Sequence, residues 1–216
     1  MKQYIFPATK QDVIKEYSES ALCPSPYQRA KWGSEEKMLF RFKLLDEKVD
    51  WSLVLKWLDI GCGDCTLFET VSKNVKTYGL DMVPKALSHA KRKKEKLLCS
   101  DAEYLAIKDE SLNLVSMIGV LQKCGGSPVS IFLEIFRILR DKGQFFFTTK
   151  NITWEEFSKP DVKPYKGHSW YNPANLLNQL GDIGFDIKSA EGFIPGEKRI
   201  VRIPQSHSFY VLATKN

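Results

Sequence analysis

The sequence predicts an α/β fold with a mostly parallel sheet, and three observations support this prediction. Short apolar segments alternate with amphipathic segments through the middle of the chain, and this alternation is typical of right-handed strand–helix–strand units. The segment LNLVSMIGV (112–120) is apolar almost throughout, as expected of a strand buried on both faces. The segment LVLKWLDI (53–60) ends at a glycine-rich loop, and ligands bind at such a position in open sheets.

The first fifty residues are predicted to form a helical cap in front of the sheet. Segments 10–22 and 34–49 carry apolar residues at helical spacing, and Ser34 is the predicted N-cap of the second helix. The segment CPSPYQRAKWG (23–33) between them is interrupted by prolines and is predicted to be a loop. We therefore separate an N-terminal cap, residues 1–50, from the core that follows.

The core, residues 51–150, contains five predicted strands and three predicted helices, and we expect it to bind a ligand. The strands are 53–60, 77–81, 96–101, 112–120 and 144–150. The helices are 65–74, then 83–96 with Pro84 in its first turn, and then 127–143 with Ser127 as its cap and Gly143 as its terminator.

The C-terminal part, residues 151–216, is predicted to complete the sheet. A helix at 173–184 and strands at 185–193 and 206–215 bring the number of strands to seven, with helices on both faces. Segment 151–173 is polar, aromatic and rich in proline, and loops of this length in compact domains are commonly functional. We therefore expect this segment to cover a substrate, within a single domain.

The composition is that of a globular protein. Hydrophobic residues make up 43% and charged residues 27% of the 216. No apolar run approaches the ~18 residues of a membrane span, and the N-terminus lacks the apolar core of a signal peptide. The five cysteines are an odd and scattered set, which fits reduced thiols. These observations predict a cytoplasmic location.

The net charge of +6 is unevenly distributed. The densest basic run is HAKRKKEK (89–96), which indicates either the solvated end of a helix or a surface for nucleic acid or anionic lipid. No aromatic residue interleaves with these lysines, and this weakens the case for binding single-stranded nucleic acid by stacking. We favour the solvated helix end.

The glycine loop after the first strand also contains a Cys-x-x-Cys motif, Cys62 to Cys65, and so has competing interpretations. A dinucleotide loop would have a third glycine where Thr66 stands, and a P-loop would end in Gly-Lys-Ser/Thr. A redox motif fits locally, because such a motif begins a helix after a strand. A zinc site would need further ligands, and the sequence has no second Cys-x-x-Cys and no close histidine pair. We therefore expect no metal.

Four features in order resemble the class I S-adenosylmethionine-dependent methyltransferases. They are most similar to the type 11 group of small-molecule enzymes, which includes the quinone-ring methyltransferases. The features are LDIGCGDC, GLD, CSDAEYL and DESLNLVSMIGVLQKC. The resemblance runs from about residue 51 to 149 and returns at 171–185. It implies a Rossmann-like sheet with an antiparallel last strand, S-adenosylmethionine as the cofactor, and a backbone cradle rather than a redox motif at the glycine loop.

The resemblance assigns ten residues to cofactor binding. They are Asp59, Gly61, Cys62 and Gly63 at the amino-acid end, Asp81 at the ribose, Met82, Asp101 and Ala102 at the adenine, and Ile118 and Gly119 at the methionine arm. The sequence departs from the family pattern at Cys65, where many relatives have a third glycine, and at Gln122 and Lys123, where relatives have histidine. The second departure lies at the rim of the active site, so the acceptor of close relatives cannot be assumed.

The resemblance implies methyl transfer, and we expect an oxygen or carbon acceptor on a small metabolite or lipid-like molecule. The Asn/Asp-Pro-Pro-Tyr/Phe motif of many enzymes that methylate base amines is absent after the fourth strand. His168 lies in the expected covering segment and is the candidate general base, the alternative being a structural loop histidine. The candidates for lining an acceptor pocket are the cap aromatics Tyr4, Phe6, Tyr17, Tyr27 and Trp32.

Two other functions stay open. An RNA methyltransferase is supported only by the net charge of +6. A non-catalytic subunit, which binds the cofactor or nothing and acts through protein contacts, is suggested by the substituted rim at Gln122 and Lys123. The intact acidic and glycine positions of the first two features argue against such a loss of function.

Overall fold

The computed structural model describes residues 9–71, 73–90, 96–124, 127–165 and 167–216. Within these residues, one sheet of eight strands has the order β3-β2-β1-β4-β5-β8-β6-β7. The strands are β1 (Lys56–Ile60), β2 (Lys76–Asp81), β3 (Leu97–Cys99), β4 (Leu112–Ile118), β5 (Leu139–Lys150), β6 (Phe185–Ile194), β7 (Arg199–Val201) and β8 (Ser208–Lys215).

The strand directions confirm the predicted fold class. Strands β1 to β5 are parallel, and the last strand, β8, lies antiparallel between β5 and β6. The predicted number of seven strands is corrected to eight, because β7 folds back on the end of β6 as a short antiparallel pair. Its three residues are too few to show an alternating pattern in the sequence.

The helices in the described ranges are α1 (Lys10–Ser20), α2 (Pro26–Arg29), α3 (Glu35–Lys48), α4 (Thr66–Thr70), α5 (Pro84–Leu87), α6 (Val129–Ile138) and α7 (Pro173–Ile183). Ser34 caps α3 as predicted, since its hydroxyl accepts from the Lys37 backbone N–H at 3.3 Å. The single turn α2 interrupts the segment that was predicted to be a loop.

Most of the basic run, residues 91–95, lies outside the described residues. None of the described helices has the length and apolar character that crossing a membrane requires.

The predicted helix 127–143 ends early, at Ile138. The chain becomes extended at Leu139, where β5 begins to pair with β4. Gly143, the predicted terminator, lies inside β5 instead, directly after Lys142 with its φ of 60°. The register with β4 is irregular beside this point. The sheet partner therefore overrides the helical pattern of the sequence.

The sheet separates two apolar layers. On one face, α6 and α7 cover side chains such as those of Phe145 and Phe147. On the other face, α3 and α4 cover Trp57 and Phe146. All four side chains are fully buried, which confirms the prediction of helices on both faces.

Ion pairs fasten the N-terminal cap to the carboxyl edge of the sheet. Arg29 of α2 donates to Asp64 Oδ2 through Nε at 2.9 Å and through Nη2 at 2.6 Å. Lys10 Nζ of α1 lies 2.7 Å from a Glu103 carboxylate oxygen. The side chains of Arg29 and Asp64 are only 17% and 11% exposed, so salt screens this pair less than a surface pair. The cap is thereby held against the loops that follow β1 and β3.

Candidate functional site

A cavity of about 400 Å³ lies at the carboxyl ends of β1, β2 and β4, beneath the N-terminal cap. We call it the main cavity. The structure brings all ten residues predicted to bind the cofactor to its lining: Asp59, Gly61, Cys62, Gly63, Asp81, Met82, Asp101, Ala102, Ile118 and Gly119. Ligands bind at this edge of open α/β sheets, so the main cavity is the candidate site.

The loop after β1 bends tightly over the end of β2. The backbone N–H groups of Gly61 and Cys62 both donate to the Leu80 carbonyl, at 2.7 and 3.0 Å. Gly61 and Gly63 have φ values of 72° and 52°, which other residues rarely adopt. A Cβ atom on Gly61 would lie 2.1 Å from Val120 Cγ2. Only glycine therefore lets the backbone take this path beside the main cavity.

Cys62 and Cys65 are free, buried thiols in contact with each other. The hydrogen bond to Cys65 and burial both raise the pKa of Cys62 well above its usual value. A raised pKa keeps a thiol protonated and unreactive, contrary to the needs of a redox motif. Cys65 adopts a left-handed φ of 66° at the position where many relatives have glycine. Among the described residues, no group of three or more potential ligands is placed to hold a metal ion.

Asp81, at the end of β2, is held by the backbone. Its Oδ2 accepts from the Gly63 N–H at 2.9 Å and its Oδ1 from the Val83 N–H at 2.8 Å. Burial raises the pKa of Asp81, and these backbone hydrogen bonds oppose the shift. A carboxylate has about four acceptor positions, so Asp81 retains the capacity for two further donors. Burial, followed by the charges of Glu16 and Asp81, raises the pKa of Tyr17 in the cap above it.

Asp59, near the end of β1, terminates a chain of hydrogen bonds across the sheet. Trp57 Nε1 donates to Ser116 Oγ at 2.8 Å, and Ser116 Oγ donates to Asp59 Oδ1 at 2.6 Å. Burial raises the pKa of Asp59 to about 8, while the Ser116 hydrogen bond lowers it and the Asp81 charge adds to the rise. Ser116 and Trp57 were not among the residues predicted to form the site. The two-residue period of a β-strand could have indicated Trp57, because it places the side chains of residues 57 and 59 on one face of the sheet.

The remaining predicted residues form the sides of the main cavity. Asp101 and Ala102 follow β3, whereas Ile118 and Gly119 lie at the end of β4. Gly119 has a φ of 67°, and a Cβ atom there would lie 2.1 Å from the ring of Trp32. The indole of the cap therefore packs directly on the backbone at the end of β4.

The aromatic candidates of the cap occupy different places. Tyr17 and Trp32 line the main cavity. Tyr27 packs against the apolar layer beneath α3 and is not part of the lining. Tyr4 and Phe6 lie outside the described residues.

His168, the predicted general base, lies apart from the main cavity and is not among its lining residues. Its ring centroid is 6.0 Å from that of Tyr165, in an aromatic group that also contains Trp170 and His207. Burial, followed by the charges of nearby lysines, lowers the pKa of His168 to about 4. His168 is therefore neutral at physiological pH.

Segment 151–173, predicted to cover the substrate, bonds to the turn after β4. The Ser169 N–H donates to the Gln122 carbonyl at 2.8 Å, and the Tyr171 hydroxyl donates to the Leu121 carbonyl at 2.9 Å. None of the described residues of this segment lines the main cavity. The cap, not this segment, therefore lies over the main cavity.

Comparison with known sequences gives a family match for the central part of the chain. Residues 58–147 match the family model described as a methyltransferase domain. Over 97 residues the chain is 34% identical to an uncharacterised protein of Methanocaldococcus jannaschii. This match covers 44% of the chain and 37% of the relative, so the chain matches little more than a third of that curated protein's length.

Solved structures with low sequence identity share the fold. A chain in the complex between the Haloferax volcanii Trm112 methyltransferase activator and a methyltransferase has a TM-score of 0.71 at 16% identity, over 92% of this chain and 97% of that one. An S-adenosylmethionine-dependent methyltransferase of Clostridium acetobutylicum has a TM-score of 0.67 at 15% identity, over 88% and 96% of the two chains.

Residues 58–147 thus match a methyltransferase domain, and the chain has the fold of class I S-adenosylmethionine-dependent methyltransferases, in agreement with the resemblance found in the sequence. More particularly, the matching family model is that of the type 11 methyltransferase domain, and S-adenosylmethionine is the cofactor that the match and the shared fold imply.

Proposed function

We propose that this protein transfers the methyl group of S-adenosylmethionine to an oxygen or carbon atom of a small-molecule acceptor. One observation carries the proposal. The ten residues predicted to bind the cofactor line one main cavity, which the cap completes with Tyr17 and Trp32. The cofactor, when bound, supplies an electrophilic methyl group on a sulfonium. The protein's task is then to place the acceptor, which orientation and proximity achieve.

The residues of the main cavity fit this cofactor. The loop from Gly61 to Gly63 presents backbone without a Cβ clash, so a ligand can approach it closely. Asp81 has acceptor positions left for the two hydroxyls of a ribose. Asp59 is a buried carboxylate without a cationic partner among the described residues, and the ammonium of the cofactor's amino-acid end would favour its ionised form.

The observed position of His168 alters the role that we propose for it. It does not line the main cavity, so we assign it to contact with the acceptor in the neighbouring aromatic group rather than to proton removal beside the cofactor. Its low pKa leaves a neutral ring that can donate one hydrogen bond and accept another.

The test is a labelling experiment on the full chain. The protein is incubated with methyl-labelled S-adenosylmethionine and a metabolite extract, and labelled products are identified by mass spectrometry. A labelled small molecule that disappears with Asp81→Ala supports the proposal. Label in added RNA would support the RNA alternative. Tight cofactor binding without labelling of metabolites or RNA would support the non-catalytic subunit instead.

A further inference from the structure

A second polar group lies beside the main cavity, on the face of the sheet that α3 covers. It consists of Arg41, Lys150 and His207, and we call it the cationic cluster. Arg41 is only 4% exposed and Lys150 only 8%. Lys150 Nζ lies 3.4 Å from each ring nitrogen of His207. The cluster is therefore a set of basic side chains withdrawn from water.

No acid in the described part of the chain compensates the cationic cluster. Burial lowers the pKa of Arg41 to about 9. Burial, followed by the charges of Arg41 and Lys37, lowers the pKa of Lys150 well below its usual value. Burial and the charge of Lys150 lower the pKa of His207 to about 3. No carboxylate contributes to any of these shifts, so burial keeps His207 neutral and favours the neutral form of Lys150. Arg41 Nη1 donates to the Lys37 carbonyl at 2.6 Å but has no anionic partner among the described residues. An anion bound beside Lys150 and Arg41 would favour their charged forms.

Hydrogen-bonding groups without partners surround the cationic cluster. Thr148 Oγ1, His168 Nδ1 and Trp170 Nε1 are buried, and none of them has a hydrogen-bond partner in the described ranges. Trp170 is 2% exposed, and its ring centroid lies 5.8 Å from Lys150 Nζ and 5.3 Å from the ring of His207. Buried polar atoms without partners are rare in native proteins. An indole N–H only donates, so its missing partner is an acceptor such as an oxyanion.

The cationic cluster and the main cavity share a wall. The Arg41 guanidinium lies 4.4 Å from the ring centroid of Trp32, which lines the main cavity and packs on Gly119. Met38 and Phe42, on either side of Arg41 in α3, line the main cavity too. Lys150 ends β5, the strand beside β4. An acceptor bound at the cluster would thus lie next to the carboxyl end of β4.

We propose that the methyl acceptor carries an oxyanion, a carboxylate or a phosphate, which the cationic cluster binds beside the main cavity. This inference rests on the proposed function, since it names the chemistry of the acceptor. Trp170, Thr148 and His168 supply further hydrogen bonds to the bound group. The burial of Arg41 and Lys150 suits one anionic group of a small molecule rather than a nucleic-acid backbone.

The experiment measures probe binding to the full chain by titration calorimetry. The anionic probes are benzoate and phenyl phosphate, and benzyl alcohol is the neutral probe of similar shape. We expect the better anionic probe to bind at least about tenfold more tightly than benzyl alcohol. Lys150→Met and Arg41→Met should each weaken the binding of the better anionic probe by at least about tenfold. The ratio between benzoate and phenyl phosphate then shows which oxyanion the site prefers.

Lys215→Met is the matched control. Lys215 is also 8% exposed, but it lies at the other end of β8 and donates to the Leu139 carbonyl at 2.9 Å. This variant should leave probe binding unchanged. The proposal is overturned if benzyl alcohol binds as tightly as both anions, if the cluster variants bind them normally, or if the control loses equal affinity.

Two further measurements distinguish a failure of the anion-site proposal from a variant that does not fold and from a failure of the proposed function. Lys150→Arg keeps the charge, so it should retain anion binding even where Lys150→Met does not fold. If Lys150→Arg folds and loses anion binding as completely as Arg41→Met, the effect is one of packing and the proposal fails. Binding of S-adenosylhomocysteine is measured on the same samples. If the wild-type chain binds the anions but not this product, the proposed function fails while the anion site stands.

Discussion

Asp59 and Asp81 line the same cavity but are held in different ways. Asp81 accepts two backbone N–H groups, which favour its ionised form. Asp59 accepts one hydroxyl group, from Ser116, and burial raises its pKa to about 8. We therefore expect Asp81 to be a constant anchor for the cofactor and Asp59 to make cofactor binding depend on pH.

The first prediction concerns Asp81→Ala. A carboxylate that accepts hydrogen bonds from two hydroxyl groups should contribute about 1.5–3 kcal/mol of binding free energy per charged hydrogen bond, if the two bonds act independently. The substitution should weaken cofactor binding by at least about tenfold, as measured by titration calorimetry, while circular dichroism stays unchanged. An unchanged dissociation constant would remove this carboxylate from the site.

The second prediction concerns pH and Asp59→Asn. The free carboxyl, with a pKa of about 8, is mostly protonated below that pH, whereas pairing with the cofactor's ammonium requires it ionised. Affinity of the wild type should therefore fall, by up to about tenfold per unit, as the pH drops from about 7.5 to 6, where an α-amino group stays charged. Asp59→Asn should bind more weakly and without this dependence.

Folding stability supplies the control for that prediction. The pKa of Asp59 in the folded protein lies well above its usual value, at about 8, so the stability that its protonated form provides is lost as the pH rises towards 8. Asp59→Asn stays neutral throughout. Its stability relative to the wild type should increase between about pH 5 and 8 in urea titrations. A constant difference would show that the carboxyl does not titrate in this range.

At the scale of elements, the loop after β1 could be predicted because its glycines mark a sharp turn at a strand end. The contribution of α2 to holding the cap against the cofactor loop could not be predicted. Its four residues form a single turn within a proline-broken segment, and Arg29 reaches Asp64 across a long interval of sequence. Local periodicity carries no information about such a contact, so Arg29 was missed as a residue that joins the cap to the cofactor loop.

The third prediction concerns this ion pair. Arg29→Met removes both hydrogen bonds to Asp64, which is left partly buried without its partner. Amide hydrogen exchange should therefore become at least about tenfold faster in α1 and α2. Lys31→Met is the matched control, because Lys31 pairs with Glu16 at 2.6 Å in a more exposed position. Equal effects of the two substitutions would argue against a special role for the buried pair.

The fourth prediction concerns the two thiols. Because the glycine loop is a backbone cradle, Cys62→Ser combined with Cys65→Ser should leave cofactor affinity within about tenfold of the wild type. Titration calorimetry measures this. If cofactor binding survived but a disulfide reductase activity of the wild type disappeared, the redox interpretation would be correct instead.

At the scale of the whole molecule, alternating strands and helices were enough to predict the class of sheet and its two covered faces. The position of segment 151–173 was not predictable from its composition, because polar and aromatic residues suit both a lid and a support. In the structure, Tyr171 and Ser169 bond to the turn after β4. The same limitation applies to His168, whose surroundings depend on residues distant in sequence, such as His207.

The fifth prediction concerns the stability of the whole chain. A ligand that binds only the folded state, at 100 times its dissociation constant, stabilises it by about 2.7 kcal/mol. For a chain of 216 residues, S-adenosylhomocysteine at this excess should raise the Tm by about 5–10 °C. Calorimetry of the wild type measures the shift, and Asp81→Ala at the same ligand concentration should show a much smaller one.

The buried path from Trp57 through Ser116 to Asp59 gives the protein an internal spectroscopic reporter. The indole proton of Trp57 is shielded from solvent exchange, because its side chain and that of Ser116 are fully buried. Ionisation of Asp59 strengthens the bond from the Ser116 hydroxyl, which makes that oxygen a better acceptor for the indole. The Trp57 Nε1–H resonance should therefore move downfield as Asp59 ionises. One NMR signal from the core thus reports the charge state of the cavity without any label placed in it.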